Sequence, residues 1–152
     1  MRNKKILIEQ LDEKLKPFQK TETVIVPDRG WIHTIRTTLN MTMAQLGTKL
    51  NITRQGVKSI EESEAKGAIS INSLKEIGNV LDLKFVYGFV PVEGTIDNLI
   101  NIKAEKLARK IVLRTNQNMK LENQGIGDKK IKNTIKDVAN EIKREMKKSL
   151  WD

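Results

Sequence analysis

The stretch that decides the fold is residues 35–81, IRTTLNMTMAQLGTKLNITRQGVKSIEESEAKGAISINSLKEIGNVL. In it and just before it, apolar residues recur at helical spacing in three short groups. These groups are Ile32, Ile35 and Leu39, then Leu46 and Leu50, and then Val57 and Ile60. Only residues 50–53 link the last two groups, which is typical of a helix-turn-helix. The pattern predicts three short helices around one small core, closed by a fourth helix from residue 72 to about 81.

Hydroxyl residues stand immediately before the second and third of these predicted helices. Thr42 precedes the helix expected over 43–50, and Thr53 precedes the helix expected from 54 to about 62. A hydroxyl in this position accepts a hydrogen bond from a free N–H group of the first helical turn. We therefore expect both threonines to be N-caps.

The third predicted helix presents polar side chains that suit the reading of DNA bases. Val57 and Ile60 form its apolar face. Four residues are left pointing outward: Arg54, Gln55, Lys58 and Ser59. Arginine can bind guanine, and glutamine can bind adenine, through two hydrogen bonds each, while lysine reaches guanine or phosphate. Any surface helix can carry such residues, so it is the helix-turn-helix context that favours base contacts here.

Two apolar segments outside this unit are predicted to be strands. Residues 23–26, TVIV, are all β-branched and are followed by the turn sequence PDRG. Residues 83–91, LKFVYGFVP, are rich in β-branched and aromatic residues and stop at a proline. We expect the two segments to pair, either within one chain or across a dimer. A platform that stacks nucleobases is the alternative for residues 85–87.

The two ends of the chain are predicted to be helical. An N-terminal helix is expected to end near residue 16, because Pro17 pushes the preceding residue out of the α region. A long helix should begin at Thr95, its candidate N-cap, and stop at Gly125 and Gly127. A last helix, capped by Asp128, carries an apolar stripe of Ile131, Ile135, Val138, Ile142 and Met146. Such a stripe needs an apolar partner, which is either the preceding helix or another subunit, with Trp151 as an anchor.

The charge of the chain favours polyanionic partners. The 152 residues include 28 Lys and Arg against 19 Asp and Glu, a net charge of +9. Such an excess attracts nucleic acid or an anionic membrane surface. Residues 91–152 hold 14 of the 28 basic residues and 9 of the 19 acidic ones. Phosphate contacts and a solvated lysine-rich surface are both open for this part.

Composition argues against an enzyme, a disulfide framework and a membrane protein. The chain has no cysteine and only one histidine, His33, which we expect to be a polar surface or phosphate-edge residue rather than a catalytic base. It shows no glycine-rich phosphate loop and no metal-binding pair of histidines. No apolar run approaches the ~20 residues of a membrane span. We predict a cytoplasmic protein with no catalytic residue, metal or cofactor.

The sequence resembles the phage-repressor (XRE) type of helix-turn-helix and, more closely, the family called mobile mystery protein A. The wider class is matched by Leu46, Leu50, Asn51, Ile52, Thr53, Val57, Ile60, Glu61 and the helix at 74–81. The narrower family is matched by residues 30–32, 64–67, 85–87, 90–91, 122–125 and 150–152. The similarity covers most of the chain, from about residue 14 to residue 152.

The resemblance implies roles for several residues. It implies an ion pair between Arg36 and Glu61, although an Arg36 exposed to solvent is the simpler alternative. Met43 stands where this class usually has a glutamine that touches phosphate. Contacts to the DNA backbone are expected from Thr42, Met43, Thr53 and Lys66.

The resulting prediction is a mainly α fold with a short two-stranded β element and a C-terminal helical hairpin. Its parts are an arm and strand at 1–30, a helix-turn-helix domain at 31–82, a strand and linker at 83–94, and helices at 95–152. The family is encoded beside a Fic-domain protein. The resemblance thus implies an antitoxin-like repressor or autoregulator of transcription that binds double-stranded DNA. The alternative is a module that binds and restrains a Fic enzyme without reading DNA.

A single helix-turn-helix covers only a few base pairs, so we expect a homodimer. Two copies about a two-fold axis place their recognition helices about 34 Å apart, which is one turn of B-DNA. The apolar surfaces available for the dimer are residues 85–90 and the stripe at 131–146. The segment 85–90 is slightly favoured because residues 24–26 could pair with it.

Overall fold

The computed structural model describes residues 2–121 and 127–152 of the chain. The predicted helix end at Gly125 and the matched motif at 122–125 lie outside the described residues. The helices of the described ranges are α1 (Arg2–Leu15), α2 (Trp31–Thr38), α3 (Met43–Leu50), α4 (Arg54–Ala65), α5 (Ile71–Val80), α6 (Ile96–Leu121) and α7 (Asp128–Glu145), with 3-10 turns at Lys16–Thr21 and Lys148–Trp151. The mainly α class is therefore confirmed.

The prediction of a two-stranded sheet was wrong. Neither residues 23–26 nor residues 83–91 form a strand, and no strand occurs elsewhere in the described ranges. Most of their apolar side chains are exposed, with Ile25 86% and Phe89 81% exposed, whereas Phe85 and Val90 are half-buried. β-branched and aromatic residues are suited to a pleated, half-buried surface, but their presence does not by itself make a segment a strand. Because the two segments lack the paired backbone and the covered face that make a strand, composition alone could not produce one.

The chain divides into two compact units. The central unit comprises residues 23–87, and the terminal unit comprises residues 1–22 together with 88–152. The central unit therefore contains α2 to α5, whereas the terminal unit contains α1, α6 and α7.

Four helices of the central unit enclose one small core. Ile32, Leu46, Val57 and Ile77, one from each helix, are at most 3% exposed. Met41, Met43, Leu50, Ile60, Ile69, Leu74, Val80 and Leu81 pack around them. Leu39, which the apolar pattern placed in the core, is 57% exposed because α2 ends one residue before it.

In the terminal unit, α6 and α7 form an antiparallel hairpin. Lys143 Nζ near the end of α7 lies 3.0 Å from Asp97 Oδ1 at the start of α6. The core of this unit joins the small residues of α6 to the apolar stripe of α7: Ile100, Ala104, Ala108, Val112, Ile131, Ile135, Ile142 and Leu150. The stripe of α7 is thus covered within the chain. Leu150, rather than Trp151, is the buried anchor, and Trp151 stays 54% exposed.

The first turn of α6 is capped by a distant carboxylate as well as by its own threonine. Thr95 Oγ1 accepts a hydrogen bond from Asn98 N at 3.0 Å, as predicted. Asp12 of α1 accepts from the N–H groups of Ile96 and Asp97 at 2.7 and 3.2 Å. These two bonds tie α1, which ends ahead of Pro17 as expected, to the helical hairpin. The cap expected at Asp128 is instead Gly127, one residue earlier.

Candidate nucleic-acid interface

A tight turn joins α3 to α4. Asn51 adopts the left-handed conformation, with φ 58° and ψ 38°, and Ile52 N donates a hydrogen bond to Gly47 O at 2.9 Å. A Cβ atom on Gly47 would lie 2.7 Å from Ile52 O, so only glycine lets the turn fold back on α3. The predicted short link is present, but it is three residues long (51–53), because Leu50 belongs to α3. The need for glycine at position 47 was missed, because it depends on how closely the turn approaches.

Both predicted N-caps are confirmed. Thr42 Oγ1 accepts from Gln45 N at 3.1 Å, and Thr53 Oγ1 accepts from Gly56 N at 3.0 Å. Gln45 returns the first contact, since its Oε1 accepts from Thr42 N at 2.9 Å. This reciprocal pair is a capping box, and the spacing Thr-x-x-Gln could have identified it. The starts of α3 and α4 are therefore fixed by local hydrogen bonds.

The outward face of α4 carries the four residues selected from the sequence. Arg54, Gln55, Lys58 and Ser59 are all exposed. Val57, on the opposite side, is fully buried. Because residues four apart are neighbours on a helix, Arg54 lies beside Lys58 and Gln55 beside Ser59. The face thus offers two adjacent rows of donors and acceptors.

An ion pair between Arg36 and Glu61 links α2 to α4. Arg36 Nη2 donates to Glu61 Oε1 at 2.8 Å, and Arg36 Nε donates to Glu61 Oε2 at 3.1 Å. The third guanidinium nitrogen, Nη1, donates to Met41 O at 2.9 Å. Both partners are nearly buried, with Arg36 7% and Glu61 5% exposed. The pair fixes α4 against α2 through a two-point contact.

His33 extends this network. Its Nδ1 lies 3.1 Å from Glu61 Oε1, and its Nε2 lies 3.4 Å from Arg29 Nη1. The same Nδ1 lies 3.5 Å from Arg36 Nη2, so the ring contacts both members of the ion pair. The sequence suggested a polar surface residue. The structure places His33, half-buried, against the ion pair that holds α4.

A second carboxylate ties the last turn of α4 to the first turn of α2. Glu64 Oε2 accepts from Trp31 N at 3.0 Å, and Oε1 accepts from Ile32 N at 2.8 Å. Gly30 precedes them with φ 87°, and a Cβ atom there would lie 2.6 Å from Glu64 Oε1. No local pattern predicts this contact, although Gly30 and Glu64 both lie in the motifs matched above. Its partners are too far apart in the chain for a local pattern to show it.

The helices described above match a known protein family. Residues 32–87 match the helix-turn-helix family HTH_3. They form an XRE-type helix-turn-helix domain. The match runs from α2 through α5 to Tyr87. Searches of curated proteins and of solved structures found no match.

The XRE-type domain supports DNA binding and regulation of transcription, and this class of domain is regulatory rather than enzymatic. The match is to the wider class and leaves the narrower mobile mystery protein A family unconfirmed. Of the helices in the described ranges, none combines the length and apolar character needed to cross a membrane.

The residues expected at the DNA backbone differ in accessibility within the helix-turn-helix domain. Thr42, Thr53 and Lys66 are exposed. Met43 is half-buried, and its side chain packs against the domain core. The place of the usual glutamine is therefore filled by a core side chain. At this position only the backbone N–H, in the first turn of α3, remains to meet a phosphate.

Proposed function

We propose that the protein is a sequence-specific DNA-binding regulator whose α4 enters the major groove. The observation that supports this most directly is the exposed face of α4, within a domain of a DNA-binding class. In this proposal Arg54, Gln55, Lys58 and Ser59 contact base edges. Arg54 and Gln55 carry most of the sequence preference, since each can form two hydrogen bonds to one base.

Three exposed residues are proposed to hold the domain on the DNA backbone. The hydroxyl oxygens of Thr42 and Thr53 each accept one capping bond, which leaves each O–H free to donate to a phosphate. Lys66 follows α4 directly and is exposed. These contacts do not distinguish bases, so they position α4 without adding preference.

The contacts beneath α4 support a rigid reading helix. Thr53 caps its start, the Arg36–Glu61 pair holds its middle and Glu64 holds its last turn. A reading helix fixed in the free protein loses less entropy on binding than one that must be ordered by DNA. We therefore propose that these contacts preorganise the interface.

The regulator is proposed to act as a homodimer that represses transcription, including that of its own gene. The stripe of α7 is covered by α6, which leaves the other candidate, residues 85–90, as the better one for the dimer contact. Its exposed part continues to Val92, and we call residues 86–92 the apolar segment. Val86, Tyr87, Phe89 and Val92 of this segment are each at least 59% exposed. Burying apolar surface of this kind is the main driving force for association.

Selection of bound fragments from random duplex DNA tests the proposed function. We expect enrichment of one short sequence, in two copies related by a two-fold axis and centred one helical turn apart. Recovery of unrelated fragments after several rounds would remove sequence-specific reading from the proposal. A single unpaired copy would retain reading by α4 but remove the dimer.

The second candidate function is an antitoxin-like module that binds and restrains a Fic-domain enzyme. It rests on the family resemblance, and the exposed apolar segment supports it because large exposed apolar patches mark protein contacts. Titration of the protein with a Fic-domain protein of the kind encoded beside members of the mobile mystery protein A family tests it. A complex that Val86→Lys abolishes would support the apolar segment as the contact. No complex at micromolar concentration would remove this candidate.

A further inference from the structure

One face of α6 carries a row of lysines that the helix-turn-helix domain does not use. Lys103, Lys106 and Lys110 are separated by three and four residues, so they lie on the same side of the helix. All three are exposed. With Ser149 and Trp151 they line a shallow pocket of the terminal unit. We call these three lysines, together with Trp151, the lysine face.

The charge of the lysine face is poorly compensated. Among the side chains that the structure describes, no carboxylate lies within 4.0 Å of any of the three ammonium groups. Arg109, on another side of the same helix, is paired with Glu105 at 3.5 Å. Asp152 is the one acidic residue that lines the pocket. The lysine face is therefore positively charged and open to a polyanion.

The shape of the lysine face also favours a polyanion over an apolar surface. The leucines that line the pocket, Leu107 and Leu150, are half-buried and buried. Trp151 is thus the one large apolar side chain exposed in that pocket. An anionic membrane would also attract the lysines, but one exposed indole offers little apolar area for insertion into lipid.

We propose that the lysine face binds phosphates of the DNA that flanks the site read by α4. This inference rests on the proposed function, since it requires that the helix-turn-helix domain already holds the duplex. The flanking DNA is then present at high local concentration, so weak phosphate contacts are enough. Residues 103 and 110 are about 10 Å apart along the helix axis, at 1.5 Å per residue. Such a row spans more than one phosphate of a strand, for which the axial spacing is about 3.4 Å.

Replacing the lysine face and a matched control row separates a local contact from a change in net charge. The test variant is Lys103→Gln, Lys106→Gln and Lys110→Gln together. The control is Lys129→Gln, Lys132→Gln and Lys136→Gln, a row on α7 with the same spacing and the same exposure. Each variant removes three positive charges. Circular dichroism is used to check that both variants remain folded.

The measurement is the dissociation constant for two duplexes over a range of salt concentrations. The short duplex contains only the site selected by the protein, and the long duplex adds ten base pairs on each side. For the long duplex, loss of three phosphate contacts lowers the slope of log affinity against log salt by up to about 2.7, at about 0.9 per contact. We expect this fall for the lysine-face variant alone. On the short duplex we expect the lysine-face and control variants to behave alike.

Equal effects of the two triple variants on the long duplex would overturn the inference, since net charge alone would then explain them. The inference would also be overturned if the lysine-face variant had the same salt dependence as the wild type on the long duplex. Binding of the lysine face to anionic vesicles would not rescue it. Failure of the proposed function has a different signature: the wild type shows no preference among duplexes. In that case, the salt dependence of affinity is compared for the lysine-face and control variants on a short and a long duplex of random sequence.

Trp151 provides a direct reporter of the same contact. The chain has two tryptophans, so Trp31→Phe leaves Trp151 as the only one. We expect its emission to change on addition of the long duplex and to stay constant with the short duplex. The change should disappear when the three lysines are replaced. Constant emission with both duplexes would contradict a contact at the lysine face.

Discussion

Glu64 and Gly30 meet at the start of α2, where the carboxylate of Glu64 occupies the space that a Cβ atom on Gly30 would need. The carboxylate accepts the backbone N–H groups of Trp31 and Ile32 at 3.0 and 2.8 Å. It therefore satisfies two donors that the first turn of a helix leaves free, and it places negative charge at the positive end of the helix dipole. Because Glu64 belongs to the last turn of α4, the same contact fixes the C-terminal end of that helix.

Glu64→Ala is expected to lower the free energy of unfolding by about 1 to 2 kcal/mol, since a side-chain cap is lost and two N–H groups lose their partner. Urea unfolding followed by circular dichroism measures this change. Glu62→Ala is the matched control, because it removes an exposed acid from the same helix. Equal losses for the two variants would show that the cap contributes nothing beyond charge.

Gly30→Ala is expected to destabilise the protein more than Gly67→Ala does. Both glycines have positive φ, 87° and 74°, so alanine is strained at either position. Only at Gly30 would the new Cβ atom also meet a neighbour, since nothing lies within 4 Å of it at Gly67. Thermal unfolding of the two variants compares them. A smaller loss for Gly30→Ala would mean that Glu64 moves aside without cost.

Arg36→Ala is expected to cost about 3 to 5 kcal/mol of stability, because it leaves the buried carboxylate of Glu61 without its main partner. The double variant Arg36→Met and Glu61→Leu should be more stable than Arg36→Met alone, since it removes both charges. Urea unfolding of these variants and the wild type measures the difference. A double variant no better than Arg36→Met would contradict a strong coupling between the two residues.

Val86→Lys is expected to convert the proposed homodimer into a monomer, because it places a charge in the exposed apolar segment at residues 86–92. Light scattering at micromolar concentration gives the mass. Ile111→Lys is the control, since it charges an exposed apolar residue of α6 outside that segment. A wild type that is already monomeric would remove the dimer, and a monomeric control with a dimeric Val86→Lys would move the contact to α6.

Local features of the sequence predicted much of the fold and part of the site. The caps at Thr42 and Thr53 and the end of α1 before Pro17 follow from residues within a few positions of one another. The prediction of strands was wrong because a strand forms only when its backbone pairs with another strand. Residues 23–26 have a strand-like composition but no such partner. Helix periodicity also placed the stripe of α7 correctly, since a helix satisfies its own backbone.

The contacts that position the helices could not be predicted in the same way. Glu64 and Asp12 each cap a helix that is distant in sequence, the first 32 and 33 residues away and the second 84 and 85 residues away. Nothing in the sequence around an acidic residue says which N–H groups it will meet after folding. The contacts of His33 and the need for glycine at position 47 could not be predicted for the same reason, since both depend on the close approach of other elements.

The central claim is that α4 reads bases, and the most direct measurement compares Gln55→Ala with Lys66→Ala on the selected site, on single-base variants of it and on random DNA. Gln55→Ala should cost about 1 to 3 kcal/mol on the selected site and relax the preference at one base pair, because a bidentate base contact is lost. Lys66→Ala should weaken binding to all sequences alike, because a phosphate contact carries no base information. Equal losses for Gln55→Ala on selected and random DNA would show that α4 does not read the sequence.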